Sequence, residues 1–119
     1  MSDRILISRL FLETCIGVPD AERAKPQRIA VSIEIGVNFR DAAATDNLRR
    51  TVDYEAVSNR IKAVAAARPR KLIETLAEEL AEAVLEFEGA LDVVLLLEKF
   101  ILPDADSVAV RIERSKTRS

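Results

Sequence analysis

The chain has 119 residues and a mass of 13.2 kDa, the size of a single compact domain. Its residues are 49% hydrophobic and 32% charged, with three Gly and four Pro, which excludes disordered, collagen-like and low-complexity classes. The formal net charge of −2 and a pI near 5.3 disfavour nucleic-acid binding, because no global positive field is available to hold phosphates. We therefore expect one globular domain over residues 1–119.

Histidine is absent from the sequence, and cysteine occurs once, as Cys15. Without imidazole there is no Ser-His-Asp or Cys-His triad and no His-ligated metal. A single cysteine cannot form an internal disulfide or a thiolate zinc cluster, so a carboxylate site for magnesium is the metal possibility left open. Acid–base chemistry therefore falls to carboxylates, lysine, tyrosine or the thiol.

The N-terminus lacks the features of a secretory signal, because it has an acidic residue at Asp3, no basic region and no long apolar stretch. An uninterrupted apolar run such as Val93–Leu97 is far too short to span a bilayer. We expect a cytoplasmic protein with no membrane partner.

Two strands are predicted first along the chain. Ile5–Leu12 is rich in Ile, Leu and Phe and carries charge only at Arg9. The polar segment Glu13–Pro26, which contains Gly and Pro, is predicted to be a long functional loop. From Gln27 to Arg40 the odd positions are apolar from Ile29 onward, a period-two pattern that predicts a long strand.

Two helices are predicted in the middle of the chain. Helical spacing of apolar residues begins at Tyr54 with Asp53 as N-cap, and Arg68-Pro69-Arg70 ends this helix. A second and stronger apolar stripe extends from Leu72 to Phe87 and is closed by Gly89 at a C-cap position.

Two further strands are predicted near the C-terminus. Leu91–Leu102 has apolar residues at both odd and even positions, as expected for a strand covered on both faces. In Ser107–Arg114, apolar and polar residues alternate, which predicts a further strand. The polar segment Ser115–Ser119 is expected to be frayed. The order ββααββ predicts an α+β domain with two helices on one face of a four-stranded antiparallel sheet.

Four side chains are candidates for chemistry, and each has a plainer interpretation. Glu22 in the long loop is also typical of a solvated surface charge, and Tyr54, the only tyrosine, of a core residue. Glu74 lies outside the apolar stripe, which indicates a solvated face, but the first helical turn favours a negative charge and its free N–H groups offer a ligand an anchor. Lys99 is either partly desolvated at the end of an apolar strand or a strand-end lysine in water.

Short motifs along the chain together match a known family in their order and spacing. They are Ile16-Gly17-Val18, Glu22-Arg23, Pro26-Gln27, Thr45-Asp46-Asn47, Thr51-Val52-Asp53-Tyr54, Leu72-Ile73-Glu74-Thr75-Leu76-Ala77-Glu78, Lys99 and Ile112-Glu113-Arg114. From about Arg4 to Arg114 the sequence resembles the dihydroneopterin aldolases of folate biosynthesis. The resemblance implies the tunnelling fold, in which four subunits close a barrel and two such rings stack into a homo-octamer.

The resemblance also implies roles for residues in a pterin-binding pocket. Glu74 is expected to bind the amino and amide edge of the pterin ring, helped by the backbone of Ile73. Val52, Asp53 and Tyr54 are expected to line the same pocket from a neighbouring subunit.

The implied reaction is a retro-aldol cleavage by a carbon–carbon lyase that needs no metal, cofactor or Schiff base. Glu22 and Lys99 are expected to face the substrate's side chain and a bound water, with Lys99 moving the 2′-hydroxyl proton and Tyr54 protonating the resulting carbon. The implied products are 6-hydroxymethyl-7,8-dihydropterin and glycolaldehyde.

Two alternatives remain open within this resemblance. One is a 2′-epimerase of dihydroneopterin or its triphosphate, since the stretch Phe100–Val108 departs from the Pro and Gly-containing turn common in the family. The other is a non-catalytic, pterin-binding paralogue. The zinc-dependent relatives, GTP cyclohydrolase and tetrahydropterin synthase, rely on His or Cys ligands and are removed by the absence of histidine.

Overall fold

The computed structural model describes Asp3–Lys116 as one antiparallel sheet and a set of helices. The strands are β1 (Asp3–Thr14), β2 (Gln27–Val37), β3 (Asp92–Lys99) and β4 (Val108–Ser115), and they lie in the order β1-β2-β3-β4. The helices are α1 (Asp20–Arg23), α2 (Arg40–Thr45), α3 (Tyr54–Ala66) and α4 (Ile73–Leu85), with a 3₁₀ turn over Leu48–Arg50.

The α+β class and the ββααββ order of the main elements are confirmed, but several boundaries differ. Strand β1 is longer than predicted at both ends, so the predicted loop is shorter, and α1 lies within it. Strand β3 ends at Lys99, because the apolar residues Phe100–Leu102 are exposed and lie beyond the last paired residue. Helix α4 ends at Leu85, and Gly89 does not cap it, because Glu86 occupies the C-cap.

The core lies between the sheet and helices α3 and α4. Odd-numbered residues of β2, from Ile29 to Val37, are buried there together with Val57 and Ile61 of α3 and Leu76 and Leu80 of α4. Burying each such side chain contributes roughly 1.5–3 kcal/mol. This cluster fixes both long helices against one face of the sheet.

The opposite face of the sheet is open in the single chain. A shallow cavity of about 270 Å³ lies on it, lined by Leu6, Ile7, Ser8, Ser32, Ile33, Glu34, Val94 and Leu96. The expectation that β3 is covered on both faces is therefore wrong for one chain: Val93 and Leu95 are buried, whereas Val94 and Leu96 are half-buried.

Strand β1 contains a bulge at Arg9, where its register against β2 shifts between Ile7 and Leu10. Arg9 has φ of 51°, a left-handed conformation that costs a residue with a Cβ roughly 1–2 kcal/mol. Its amide donates a hydrogen bond of 3.1 Å to Ser32 Oγ, and its guanidinium lies 5.6 Å from the centre of the Phe11 ring. These contacts hold the bulge in place.

The ends of the described chain differ from the expected frayed tail. Ser115 belongs to β4, and the amide of Lys116 donates to the carbonyl of Leu91 at 3.3 Å. Thr117–Ser119, the rest of that predicted tail, lie outside the described residues. Between Asp3 and Lys116, no helix has the length and apolar character needed to cross a membrane.

Candidate active site

Glu22 and Lys99 form an ion pair at the end of the sheet where β3 finishes. Lys99 Nζ lies 2.7 Å from Glu22 Oε2, and the two side chains are only 13% and 18% exposed. Lys99 pairs with Ile29 across the sheet, so its side chain leaves the sheet on the face that carries the core. Glu22 is therefore not the solvated surface charge of the plainer interpretation, and Lys99 is partly desolvated.

Gln27 holds the Glu22 carboxylate from the other side. Its Nε2 donates to Glu22 Oε2 at 3.1 Å and to the carbonyl of Ile16 at 2.8 Å. The hydrogen bond from Lys99, and then that from Gln27, lower the pKa of Glu22 below its ordinary value, against the opposing effect of burial. Glu22 is thus an ionised carboxylate in direct contact with the Lys99 amine.

Gly17 makes room for this carboxylate. Its φ is +153°, and a Cβ at this position would lie 2.4 Å from Glu22 Cδ, so a side chain does not fit. Arg23 donates to the carbonyl of Gly17 at 2.8 Å and to that of Val18 at 2.9 Å. The loop around α1 is therefore fixed by hydrogen bonds, although residues 18–21 and 24–26 are exposed.

Ile73 and Glu74 begin helix α4 at this same end of the molecule. Glu74 is exposed in the first turn, and no side chain between Asp3 and Lys116 caps the helix, so the amide groups of this turn are available to a ligand. The preceding segment is tied to the Glu22 loop, because the amide of Gly17 donates to the carbonyl of Arg70 at 3.1 Å. We call Glu22, Lys99, Ile73 and Glu74 the sheet-end group.

Val52, Asp53 and Tyr54 lie together at the start of helix α3. Asp53 is the N-cap, as predicted, and its Oδ1 accepts from the amides of Glu55 at 3.0 Å and Ala56 at 3.3 Å. Val52 is buried, whereas Tyr54 is 65% exposed, so the interpretation of Tyr54 as a core residue is wrong. We call Val52, Asp53 and Tyr54 the helix-start group.

A shallow pocket of about 270 Å³ adjoins the helix-start group. It is lined by Leu48, Arg49, Arg50, Thr51, Val52, Asp53, Phe87, Glu88 and Gly89. A Cβ at Gly89 would lie 3.2 Å from Val52 Cγ2. Gly89 therefore allows a close approach between the chain after α4 and the start of α3.

The two groups lie at opposite ends of one chain. Lys99 pairs with Ile29 at one end of the sheet, while Asp92 pairs with Gly36 at the other end, next to the segment that contacts the start of α3. The length of β3 between Asp92 and Lys99 separates the groups by about 20 Å. A single chain therefore does not bring Tyr54 to Lys99.

Two residues near the sheet-end group were assigned no function from the sequence, although Gln27 lies in the Pro26-Gln27 motif. Gln27 shares the parity of Ile29 in the alternating pattern of β2, and this parity was the available signal for its position beside Lys99. Arg70 was interpreted only as part of a helix break, because nothing in the sequence distinguishes it from the exposed Arg68.

Within Asp3–Lys116, the structure places no three His, Cys, Asp or Glu side chains where they would hold a metal ion together.

The fold defines a class of small α+β proteins in which one four-stranded antiparallel sheet is backed by two long helices. The family model of dihydroneopterin aldolase matches residues 5–113. The chain therefore belongs to the dihydroneopterin aldolase family, and the function expected from the sequence, dihydroneopterin aldolase, is confirmed.

Individual relatives agree with this assignment. A dihydroneopterin aldolase from Streptomyces coelicolor is 38% identical, with 96% of this chain and 98% of the relative covered. The structure of Escherichia coli dihydroneopterin aldolase in complex with neopterin matches with a TM-score of 0.90 at 30% identity, covering 95% of this chain and 99% of that one. A Burkholderia thailandensis dihydroneopterin aldolase bound to guanine matches with a TM-score of 0.82 at 25% identity, over 98% and 93% of the chains.

The Glu22–Lys99 ion pair should make folding stability depend on pH. Because folding lowers the pKa of Glu22, the pair stabilises the protein at pH values above 4.5, the ordinary pKa of this carboxyl. This stabilisation is lost as the pH falls through the lowered pKa. We expect Glu22→Gln to reduce the free energy of unfolding at pH 7, and the difference from wild type to shrink below pH 4.5 and to vanish once the pH is below the lowered pKa of Glu22. Urea unfolding across this pH range measures it. Glu82→Gln, at an exposed position, is the control, and a difference that does not change with pH would contradict the prediction.

Proposed function

We propose that this protein is a metal-independent carbon–carbon lyase that cleaves 7,8-dihydroneopterin into 6-hydroxymethyl-7,8-dihydropterin and glycolaldehyde. The observation that carries the proposal is the Glu22–Lys99 ion pair, a carboxylate and an ammonium held 2.7 Å apart and largely out of solvent. Such a pair can accept and return a proton without a metal ion. Membership in the dihydroneopterin aldolase family supplies the substrate class.

In this proposal Glu74 anchors the pterin ring. The amino and amide groups of the ring donate two parallel hydrogen bonds to its carboxylate, and the backbone at Ile73 assists. The E. coli relative was solved with neopterin and the Burkholderia relative with guanine, and both ligands present such an amino–amide edge. Exposure of Glu74 in the first turn of α4 leaves its carboxylate accessible to such a ligand.

The Glu22–Lys99 pair then removes the proton from the 2′-hydroxyl, with Lys99 acting through a bound water. The C2′ oxygen forms a carbonyl as the C1′–C2′ bond breaks, and the bonding electrons pass through C6 to N5, which takes up a proton. Glycolaldehyde leaves, and Tyr54 protonates C1′. Loss of the N5 proton restores the N5=C6 imine and yields the hydroxymethyl product.

The proposed site needs two copies of the chain. The helix-start group lies about 20 Å from the sheet-end group within one chain, so Tyr54 reaches the substrate only from a neighbour. Strands β1 and β4 form the two edges of the sheet, and closing a barrel through other subunits pairs these edges. We infer a homo-oligomer of the tunnelling-fold type, an octamer of two four-subunit rings.

A non-catalytic, pterin-binding paralogue would have no need for this particular pair, because hydrophobic residues of similar volume would stabilise the fold as well. Removing a carboxylate and an ammonium from water carries a desolvation cost, and a pair of that kind is weak evidence for stability alone. The Glu22–Lys99 pair, with Gly17 lacking a side chain beside it, is therefore better explained by proton transfer than by a scaffold role.

Product analysis after incubation with 7,8-dihydroneopterin tests the proposed reaction. We expect stoichiometric 6-hydroxymethyl-7,8-dihydropterin and glycolaldehyde, unchanged in rate by a metal chelator. Formation of the 2′-epimer alone would replace the lyase by an epimerase. Complete absence of turnover would support the scaffold, and inhibition by the chelator would contradict metal independence.

Ligand affinity should depend on Glu74. We expect Glu74→Ala to weaken binding of 6-hydroxymethyl-7,8-dihydropterin by about 2–3 kcal/mol, because a charge-assisted pair of hydrogen bonds is lost. Fluorescence titration measures the dissociation constant. Glu78→Ala, on the same helix and exposed, is the matched control. An unchanged affinity in Glu74→Ala would contradict this role and support the interpretation of Glu74 as a residue on a solvated helix face.

Mixing two defective variants tests the division of the site between copies. Lys99→Ala damages the sheet-end group and Tyr54→Phe the helix-start group, so each variant alone should form product slowly. When the two are unfolded and refolded together at equal amounts, about a quarter of the interfaces between copies should combine two intact groups and recover activity. Mixtures that stay as inactive as the separate variants would place the whole site within one chain.

A further inference from the structure

Arg70 is the charged side chain that the fold buries most completely among the described residues. Its side chain is 1% exposed, and its guanidinium donates to carbonyls at the end of helix α3. Nη2 donates to the carbonyl of Val64 at 2.9 Å, and Nη1 to those of Ala65 at 3.3 Å and Arg68 at 2.8 Å. The amide of Ala67 also donates to the carbonyl of Val64 at 3.2 Å, and the hydroxyl of Thr14 donates to that of Ala65 at 2.6 Å, so the guanidinium adds further donors to the C-terminal end of α3.

The same guanidinium joins α3 to α4. Arg70 Nη2 and Nε lie 2.8 Å and 3.2 Å from Glu79 Oε1, and this contact lowers the pKa of Glu79. Removing one partner of a buried ion pair strongly destabilises a protein, because the other charge is left buried without compensation. Helix α4, which carries Glu74 in its first turn, is therefore held through Glu79 to the end of α3.

The backbone of Arg70 reaches the other part of the sheet-end group. Its amide donates to the carbonyl of Cys15 at 3.0 Å, and its carbonyl accepts from the amide of Gly17 at 3.1 Å. Ile16 and residue 70 form an isolated parallel bridge at this point. Since Gly17 lies directly against the Glu22 carboxylate, one residue contacts the supports of both Glu22 and Glu74.

We propose that Arg70 is a positioning residue that fixes the ring anchor Glu74 relative to the Glu22–Lys99 pair. The proposal rests on the proposed function of these residues and adds a determinant to it. Arg70 lies away from the substrate and acts through Gly17 on one side and through helix α4 on the other. A small misplacement between anchor and proton-transfer pair lowers the rate steeply, because reaction requires both ends of the substrate to be held at once.

The test compares Arg70→Met and Arg70→Lys with the matched control Arg68→Met in the full chain. Arg68 also pairs with Glu79, but its side chain is half-exposed and, within Asp3–Lys116, its guanidinium donates to none of the α3 carbonyls. We expect Arg70→Met to lower kcat about tenfold or more and to raise the product dissociation constant, at a temperature where circular dichroism shows a folded protein. Arg70→Lys keeps a charge near Glu79 but lacks the planar fork, so only partial recovery is expected. Arg68→Met should behave as wild type.

A second measurement is independent of turnover. The Glu22 carboxyl, followed by NMR, should titrate below its ordinary pKa in wild type and return toward that value in Arg70→Met, because a displaced loop loosens the contact with Lys99. If Arg70→Met does not fold, Arg70→Lys takes its place both in the kinetic and affinity measurements and in the Glu22 titration. A folded variant with wild-type kcat, affinity and Glu22 titration would overturn the proposal. Wild-type protein that leaves 7,8-dihydroneopterin unchanged would contradict the proposed function, while the Glu22 titration still decides whether Arg70 positions that carboxylate.

Discussion

The register of strand β2 against its two neighbours determines where the charged side chains of this protein meet. Ile29 pairs with Leu12 of β1 and with Lys99 of β3, and it faces the core. A slip of one residue would turn every side chain of a strand to the opposite face. Lys99 would then leave the sheet away from Glu22. The alternating apolar residues of β2 make such a slip expensive, so packing of the core also orients the candidate proton-transfer pair.

Each buried charge at the Lys99 end of the sheet is compensated by a neighbouring group. Lys99 is partly desolvated beside Glu22, Glu22 accepts a second hydrogen bond from Gln27, and Gly17 leaves space for the carboxylate. One layer further from the proposed substrate, Arg70 is compensated by helix carbonyls and Glu79. Each group is held by its neighbour, as expected where low local dielectric makes unpaired charges costly.

Sequence patterning gave the element order correctly, because periodicity reports which face of a strand or helix is buried. It failed where burial depends on contacts distant in sequence: Phe100–Leu102 are apolar yet exposed, and Tyr54 has core-like spacing yet protrudes. The candidate site residues came from a family resemblance. Composition or spacing alone leaves Glu74 on a solvated face. Arg70 was missed because its burial depends on α3 ending beside α4, a tertiary arrangement that local pattern does not encode.

The bulge at Arg9 affects how a single copy of this chain behaves in solution. Strand β1 is an edge of the sheet, and a long, flat edge strand is a template for open-ended aggregation. The left-handed residue interrupts the row of backbone donors and acceptors between Ile7 and Leu10 and bends the strand. The guanidinium of Arg9 lies over Phe11 and Phe100. It places a charge at the edge where a strand of another molecule could otherwise pair. A single folded copy thus presents two short pairing segments in place of one long edge, which disfavours growth of fibrils.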